Sequence, residues 1–181
     1  GIGFLSTGFD MSSLDFLVSL GIPTIKIPSG EITNLPYLRH VASLGKSVIL
    51  STGMSTMEDV AAAIRVLESG GVLRAAITVL HCTTEYPVEM ADVNLNAMVA
   101  MRQSLGVEVG YSDHTLGIEI AIAAVAMGAV LIEKHFTLDR SGGGPWSPAP
   151  CLSKRASGPA AARGNSPAIS RRRLDSRSRA R

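Results

Sequence analysis

Two histidines, His114 and His135, each stand at the end of a short apolar run that has just turned polar. Residues 107–111 (VEVGY) lead into Ser112-Asp113-His114, and residues 130–132 (VLI) lead into Glu133-Lys134-His135. Between them, residues 117–127 have helical length and almost no charge. A strand, a helix and a second strand make a parallel βαβ unit, in which the carboxyl ends of consecutive strands lie side by side. The two imidazoles are therefore expected to face each other across one rim, an arrangement that suits a divalent metal ion. Two histidines that merely end neighbouring strands would show the same spacing, and two ligands are few for a metal.

Other predicted strand ends carry Thr7, Lys26, Ser29, Glu31, Ser51, Thr84, Tyr86 and Ser112. One cation among hydroxyls and small turns is what a phosphate or carboxylate needs: the lysine neutralises charge, and hydroxyls and backbone amides donate hydrogen bonds. Serine and threonine also end strands without binding anything. Lys26 has a rival role as a Schiff-base nucleophile of the class I aldolase kind, or it is a solvated charge. Glu31 reads as a general base, as a partner for sugar hydroxyls, or as a helix N-terminal charge ahead of residue 35. Tyr86, before Pro87, packs on the core or on a ligand. Asp113 orients an imidazole or forms an ion pair elsewhere. His81 reads as a packed histidine and His40 as an exposed one.

The elements that must position these groups follow from periodicity. Strands are expected at residues 2–7, 24–27, 47–50, 76–80, 107–111 and 130–132. Helices are expected from Ser12 or Ser13 to Leu20, and over residues 35–44, 56–68, 94–105 and 117–127. Thr56 with Asp59 reads as a short-armed capping box. Polar strand ends recur at steps of roughly 22 to 32 residues. Strands alternating with helices mean a parallel sheet. Without a Gly-x-Gly-x-x-Gly turn, the pattern suits a partial (β/α)8 TIM barrel of about six βα units better than a dinucleotide fold. A flavodoxin-like open sheet is the structural alternative.

The chain has 181 residues, room for one sizeable core. It has no apolar run of membrane-spanning length and no charged leader region. Its two cysteines, Cys82 and Cys151, make neither a disulfide framework nor a metal spacing, which suits a reducing, cytoplasmic compartment. The start, without Met, reads as a cut piece. Residues 152–181 hold nine Lys or Arg against one Asp, whereas residues 1–151 hold eight against fourteen acidic residues. The body carries no nucleic-acid footprint.

Five ordered motifs within residues 2–140 then narrow the field. KIPSGEITNLP (26–36), LSTGMSTMEDV (50–60), LHCTTEYP (80–87), GYSDHTLG (110–117) and IEKHFTLD (132–139) closely resemble the N-acetylneuraminate (sialic acid) synthase family. The resemblance implies a (β/α)8 barrel and a transferase that condenses phosphoenolpyruvate with N-acetylmannosamine or a related N-acyl amino sugar. By similarity, Thr7, Lys26, Ser29, Ser51 and Ser112 would hold the phosphate and carboxylate, with Thr84 in the same substrate site. His114 and His135 would ligate Mn2+ or Mg2+, and Glu31 and Tyr86 match positions that contact the amino sugar. The resemblance thus casts Glu31, His114 and His135 as catalytic. The enol carbon would attack the sugar aldehyde, water would add to the resulting oxocarbenium carbon, and phosphate would leave by C–O cleavage.

The departures are equally specific. The family barrel begins with two strands not seen here, and Gly8 stands where members often have Pro. After Asp139-Arg140 the family runs towards a Gly-Pro-Asp stretch, but here Gly144-Pro145 is followed by Trp146. The family's antifreeze-like domain, which serves its homodimer, is not seen either. From Ser141 the sequence loses all periodicity and becomes rich in Arg, Ser, Pro, Gly and Ala, the composition of a disordered segment. The change falls inside a motif, which reads as a shifted reading frame in residues 141–181. A genuine basic arm for nucleic acid or anionic lipid is the alternative. The expected whole is an impaired synthase fragment, with residues 1–140 as the barrel domain. A Lys26 aldolase and a non-catalytic remnant are the other readings.

Overall fold

The computed structural model describes residues 2–136 and the backbone of residues 168–170. Five parallel strands form a curled, open half-barrel with helices on its outer side: β1 (Thr24–Ile27), β2 (Ser47–Ser51), β3 (Ile77–His81), β4 (Glu108–Asp113) and β5 (Ile132–Lys134). They lie in chain order, each hydrogen-bonded to the next. A sixth strand, β6 (Ala168–Ser170), runs antiparallel along β5. The expected division at residue 140, the tail and the Gly144-Pro145-Trp146 departure otherwise lie outside the described residues.

Alternation along each strand separates two environments. Ile25, Ile27, Val48, Leu50, Ile77, Val79, Val109 and Tyr111 join the helices in one apolar cluster. The opposite face holds a small cluster of Ile49, Leu80 and Leu131, and above it the polar ends of the strands. The helix-facing layer thus supplies the stability, and the concave face is left for chemistry. Gly110 of β4 leaves room for its neighbours on both sides: a Cβ there would collide with the Leu131 carbonyl, just before β5, and with the Leu80 side chain of β3.

One helix, α1 (Met11–Ser19), precedes β1, and four return the chain between strands: α2 (Leu35–Ser43), α3 (Met57–Ser69), α4 (Asn96–Leu105) and α5 (Glu119–Ala126). The predicted capping box is present on α3, with the Thr56 hydroxyl and the Asp59 carboxylate each meeting the other's backbone amide. Thr56→Ala is expected to cost about 1 kcal/mol, read as a lower urea midpoint at unchanged slope. Asn34 caps α2, its side chain accepting from the Tyr37 amide at 3.3 Å. Gly106 ends α4 in the left-handed region at φ 63°.

Three expectations need correction. The strand expected at residues 2–7 contracts to a single bridge between Thr7 and Lys26. That segment is held instead by the Tyr37 hydroxyl, which donates to the Gly8 carbonyl at 2.6 Å. The cap of α1 is Asp10 rather than Ser12 or Ser13, because its carboxylate collects the Ser13 amide at 2.8 Å and both serine hydroxyls. The last parallel strand lies two residues later than residues 130–132, so Glu133 and Lys134 belong to the strand itself. Among the described residues no helix is long and apolar enough to cross a membrane.

Candidate active site

The concave face ends in a cavity of about 350 Å³ at the carboxyl rim of the sheet. Lys26 from β1, Ser51 from β2, Cys82 after β3, Ser112 from β4 and Glu133 from β5 line it in strand order. Every expected site residue but two joins them: Thr7, Ser29, Tyr86, His114 and His135 also line the cavity. Glu31 and Thr84 do not. Glu31 lies in the turn after β1 and accepts from the Asn34 amide group at 2.6 Å. Thr84 is exposed, but its hydroxyl closes on Gly53, where an added Cβ would strike Ser29 and press on Thr84. With φ at +52°, Gly53 lets the loops after the first three strands converge.

Lys26 is not a solvated charge. It is 5% exposed, and its ammonium lies 3.3 Å from Glu133 Oε2. The other carboxylate oxygen of Glu133 accepts from the Ser112 hydroxyl at 2.8 Å, and that hydroxyl lies 3.3 Å from His114 Nε2. Glu133 Oε2 thus meets the ammonium as an ion pair without an aligned hydrogen bond. Ser51 Oγ, in a residue 4% exposed, has no hydrogen-bond partner among the described residues. A buried hydroxyl without a partner is costly, so one that lines a cavity marks a place for a ligand acceptor.

The two imidazoles meet as the βαβ argument requires, with ring centroids 5.1 Å apart and planes tilted by 36°. Tyr86 covers both, 4.1 Å from the His114 ring and edge-on to His135 at 5.4 Å. His114 Nδ1 lies 2.6 Å from the Thr83 carbonyl. A carbonyl only accepts, so Nδ1 carries the proton and Nε2 keeps its lone pair towards Ser112 and the cavity. Burial holds the His114 imidazole below its ordinary value. Burial, and then the neighbouring His114, bring His135 down to about 4. Both are therefore neutral at pH 7, the form a metal requires.

This donor set fits a divalent cation in part. An imidazole whose far nitrogen donates to a backbone carbonyl, beside a second neutral imidazole, is the usual arrangement of metal-binding histidines. No third His, Cys, Asp or Glu completes a group around them among the described residues. Substrate oxygens or water would have to fill the remaining positions.

Glu133 and Cys82 are among the lining residues that sequence reasoning passed over, with Ser6, Phe9 and Phe136. Burial pushes the Cys82 thiol up, and its sulfur accepts from the Gly53 amide at 3.0 Å, so it acts as a packed acceptor rather than a nucleophile. Two signals were available: Glu133 alternates with His135, and Cys82 continues the concave face from Leu80.

The NeuB family model matches residues 1–153. The chain belongs to the NeuB family. Within that family it is 56% identical over 144 residues to the N,N'-diacetyllegionaminic acid synthase of Campylobacter jejuni, covering 80% of this chain and 43% of that one. The enzyme of the same name from Legionella pneumophila is 52% identical, over 80% of this chain and 41% of its own length. The crystal structure of the N-acetylneuraminic acid synthetase from Leptospira borgpetersenii superposes with a TM-score of 0.74 at 36% identity, covering 80% of this chain and 50% of that one. The chain thus spans about two fifths of the length of these curated NeuB relatives. A phospho-2-dehydro-3-deoxyheptonate aldolase (DAHP synthase) from Thermotoga maritima, 21% identical at a TM-score of 0.58 and covering 68% of this chain and 38% of that one, shares the fold alone.

Proposed function

We propose that this chain carries the phosphoenolpyruvate and metal half of a nonulosonic acid synthase site, for a reaction joining phosphoenolpyruvate to an N-acyl amino sugar with release of phosphate. The observation that carries the reading is the buried Lys26 beside an unpartnered Ser51 hydroxyl, on the floor of a cavity whose rim holds two neutral imidazoles. Lys26 balances Glu133, so an entering trianion gains only part of its neutralisation from the chain's own charge. The Ser51, Ser29 and Thr7 hydroxyls supply neutral donors for its oxygens. Glu133 keeps Lys26 and Ser112 in place. Tyr86 shields the imidazoles from water. When bound to His114 and His135, a divalent cation supplies Lewis-acid polarisation of the aldehyde oxygen. Glu31, outside the cavity lining, is proposed to reach the amino sugar from its loop.

The higher identity to diacetyllegionaminic acid synthases, against 35% for the human N-acetylneuraminate-9-phosphate synthase, supports a diacylated amino sugar as acceptor. The test is phosphate release from phosphoenolpyruvate with Mn2+ and either N-acetylmannosamine or a diacetamido sugar. This chain is compared with one extended at both ends by family sequence. Release that needs both substrates in the extended chain is expected; none above background sinks the proposal. A Schiff-base role for Lys26 is disfavoured because its ion-pair partner is a carboxylate, not the cationic or apolar neighbour that activates such lysines. Borohydride with pyruvate is expected to leave the mass of the Lys26 peptide unchanged, and a reduced adduct there would reinstate the aldolase.

A further inference from the structure

Behind the two histidines, on the helix-facing side of the same strands, lies an ion pair that the chemistry above does not use. Asp113 ends β4, Lys134 ends β5, and they oppose each other as the last registered pair between these strands. Lys134 Nζ donates to Asp113 Oδ2 at 2.6 Å and to the Thr115 carbonyl at 2.9 Å. Asp113 Oδ1 accepts from the Thr115 amide at 2.9 Å and from its hydroxyl at 2.7 Å. All three residues are buried, Asp113 and Thr115 completely. His114 therefore stands between two residues that are both tied to Lys134, and His135 is the residue after Lys134.

We propose that Asp113 and Lys134 are positioning residues that set the separation and tilt of the His114 and His135 rings. Neither histidine belongs to a strand: the β4–β5 ladder ends one residue before each ring, and the His114 backbone is held by its carbonyl accepting from the Val88 amide at 3.0 Å beside the Val88–Thr115 bridge. Alternation turns Asp113 and Lys134 away from the cavity, so the pair touches no substrate and acts through the backbone it shares with the histidines. An apolar pair would bury as well or better, because desolvating two charges costs about as much as their attraction returns. What the ion pair adds is direction. One ammonium with two acceptors on residues 113 and 115 permits one placement of the segment between them. The inference rests on reading the two imidazoles as a working pair.

The test uses NMR on the metal-free full chain with labelled His and Tyr. The parent chain should show ring-proton cross-peaks linking His114 to His135 and to Tyr86. In the double variant D113N/K134M, which leaves no unpaired charge, those cross-peaks are expected to fall at least twofold, while the methyl signals of Leu38 and Ile64 stay in place. Lys134→Arg, which keeps the charge but moves the donors, should change the same cross-peaks. Unchanged ring cross-peaks in both variants would overturn the proposal. In a parallel titration with Co2+ alone, the double variant should bind roughly 10–100-fold more weakly. If His114→Ala leaves Co2+ binding of the parent chain intact, the metal reading fails by itself, and the ring cross-peaks still judge the positioning role.

Discussion

Replacing Asp113 by Ala is expected to remove about 3–5 kcal/mol of stability, the cost of leaving a buried charge without its partner. The Lys134 ammonium, 5% exposed, would keep only the Thr115 carbonyl. The Thr115 amide and hydroxyl would lose their shared acceptor in the same step. For a domain whose total stability is on the order of 5–15 kcal/mol, that loss separates a folded chain from a marginal one. Urea unfolding followed by far-UV circular dichroism measures it. The D113N/K134M double variant should lose much less, because both charges leave together. A single variant that costs under about 1 kcal/mol at unchanged slope would mean that water reaches the pair.

The same residues show where the sequence was legible and where it was not. Apolar runs located the strands because their helix-facing sides are mostly Ile, Val and Leu. The run 130–132 misplaced β5 because hydropathy reads Glu-Lys-His as a turn. In the fold Glu133 points to the cavity and Lys134 to Asp113, so each charge is buried against a partner supplied by another strand. No local pattern records such a partner. The histidine pair was legible because βαβ handedness brings consecutive strand ends together. Glu31 and Thr84 fell outside the cavity lining because loop paths carry no periodicity. The segment around Thr7 was legible as apolar, but the single Tyr37 hydroxyl that anchors it comes from 29 residues away.

Acid is expected to unfold the metal-free chain well before its carboxylates titrate fully. Burial holds the His81 and His114 imidazoles below their ordinary value, and His135 falls to about 4. In the unfolded chain each takes a proton near its ordinary value of about 6.5. Below that value the unfolded state binds protons that the folded state refuses. Stability is therefore fully present above pH 6.5 and lost as the pH falls towards 4. Each such proton contributes about 1.4 kcal/mol per pH unit, with a smaller share for His135, which is only partly buried and so better screened by solvent. Urea midpoints between pH 7 and pH 5 measure the slope, and His81→Gln should make it shallower. Metals take only the neutral imidazole, which the folded chain holds at pH 7, so added Mn2+ should raise the midpoint there. A midpoint that stays flat from pH 6.5 to pH 5 would show that these rings already reach water in the folded chain.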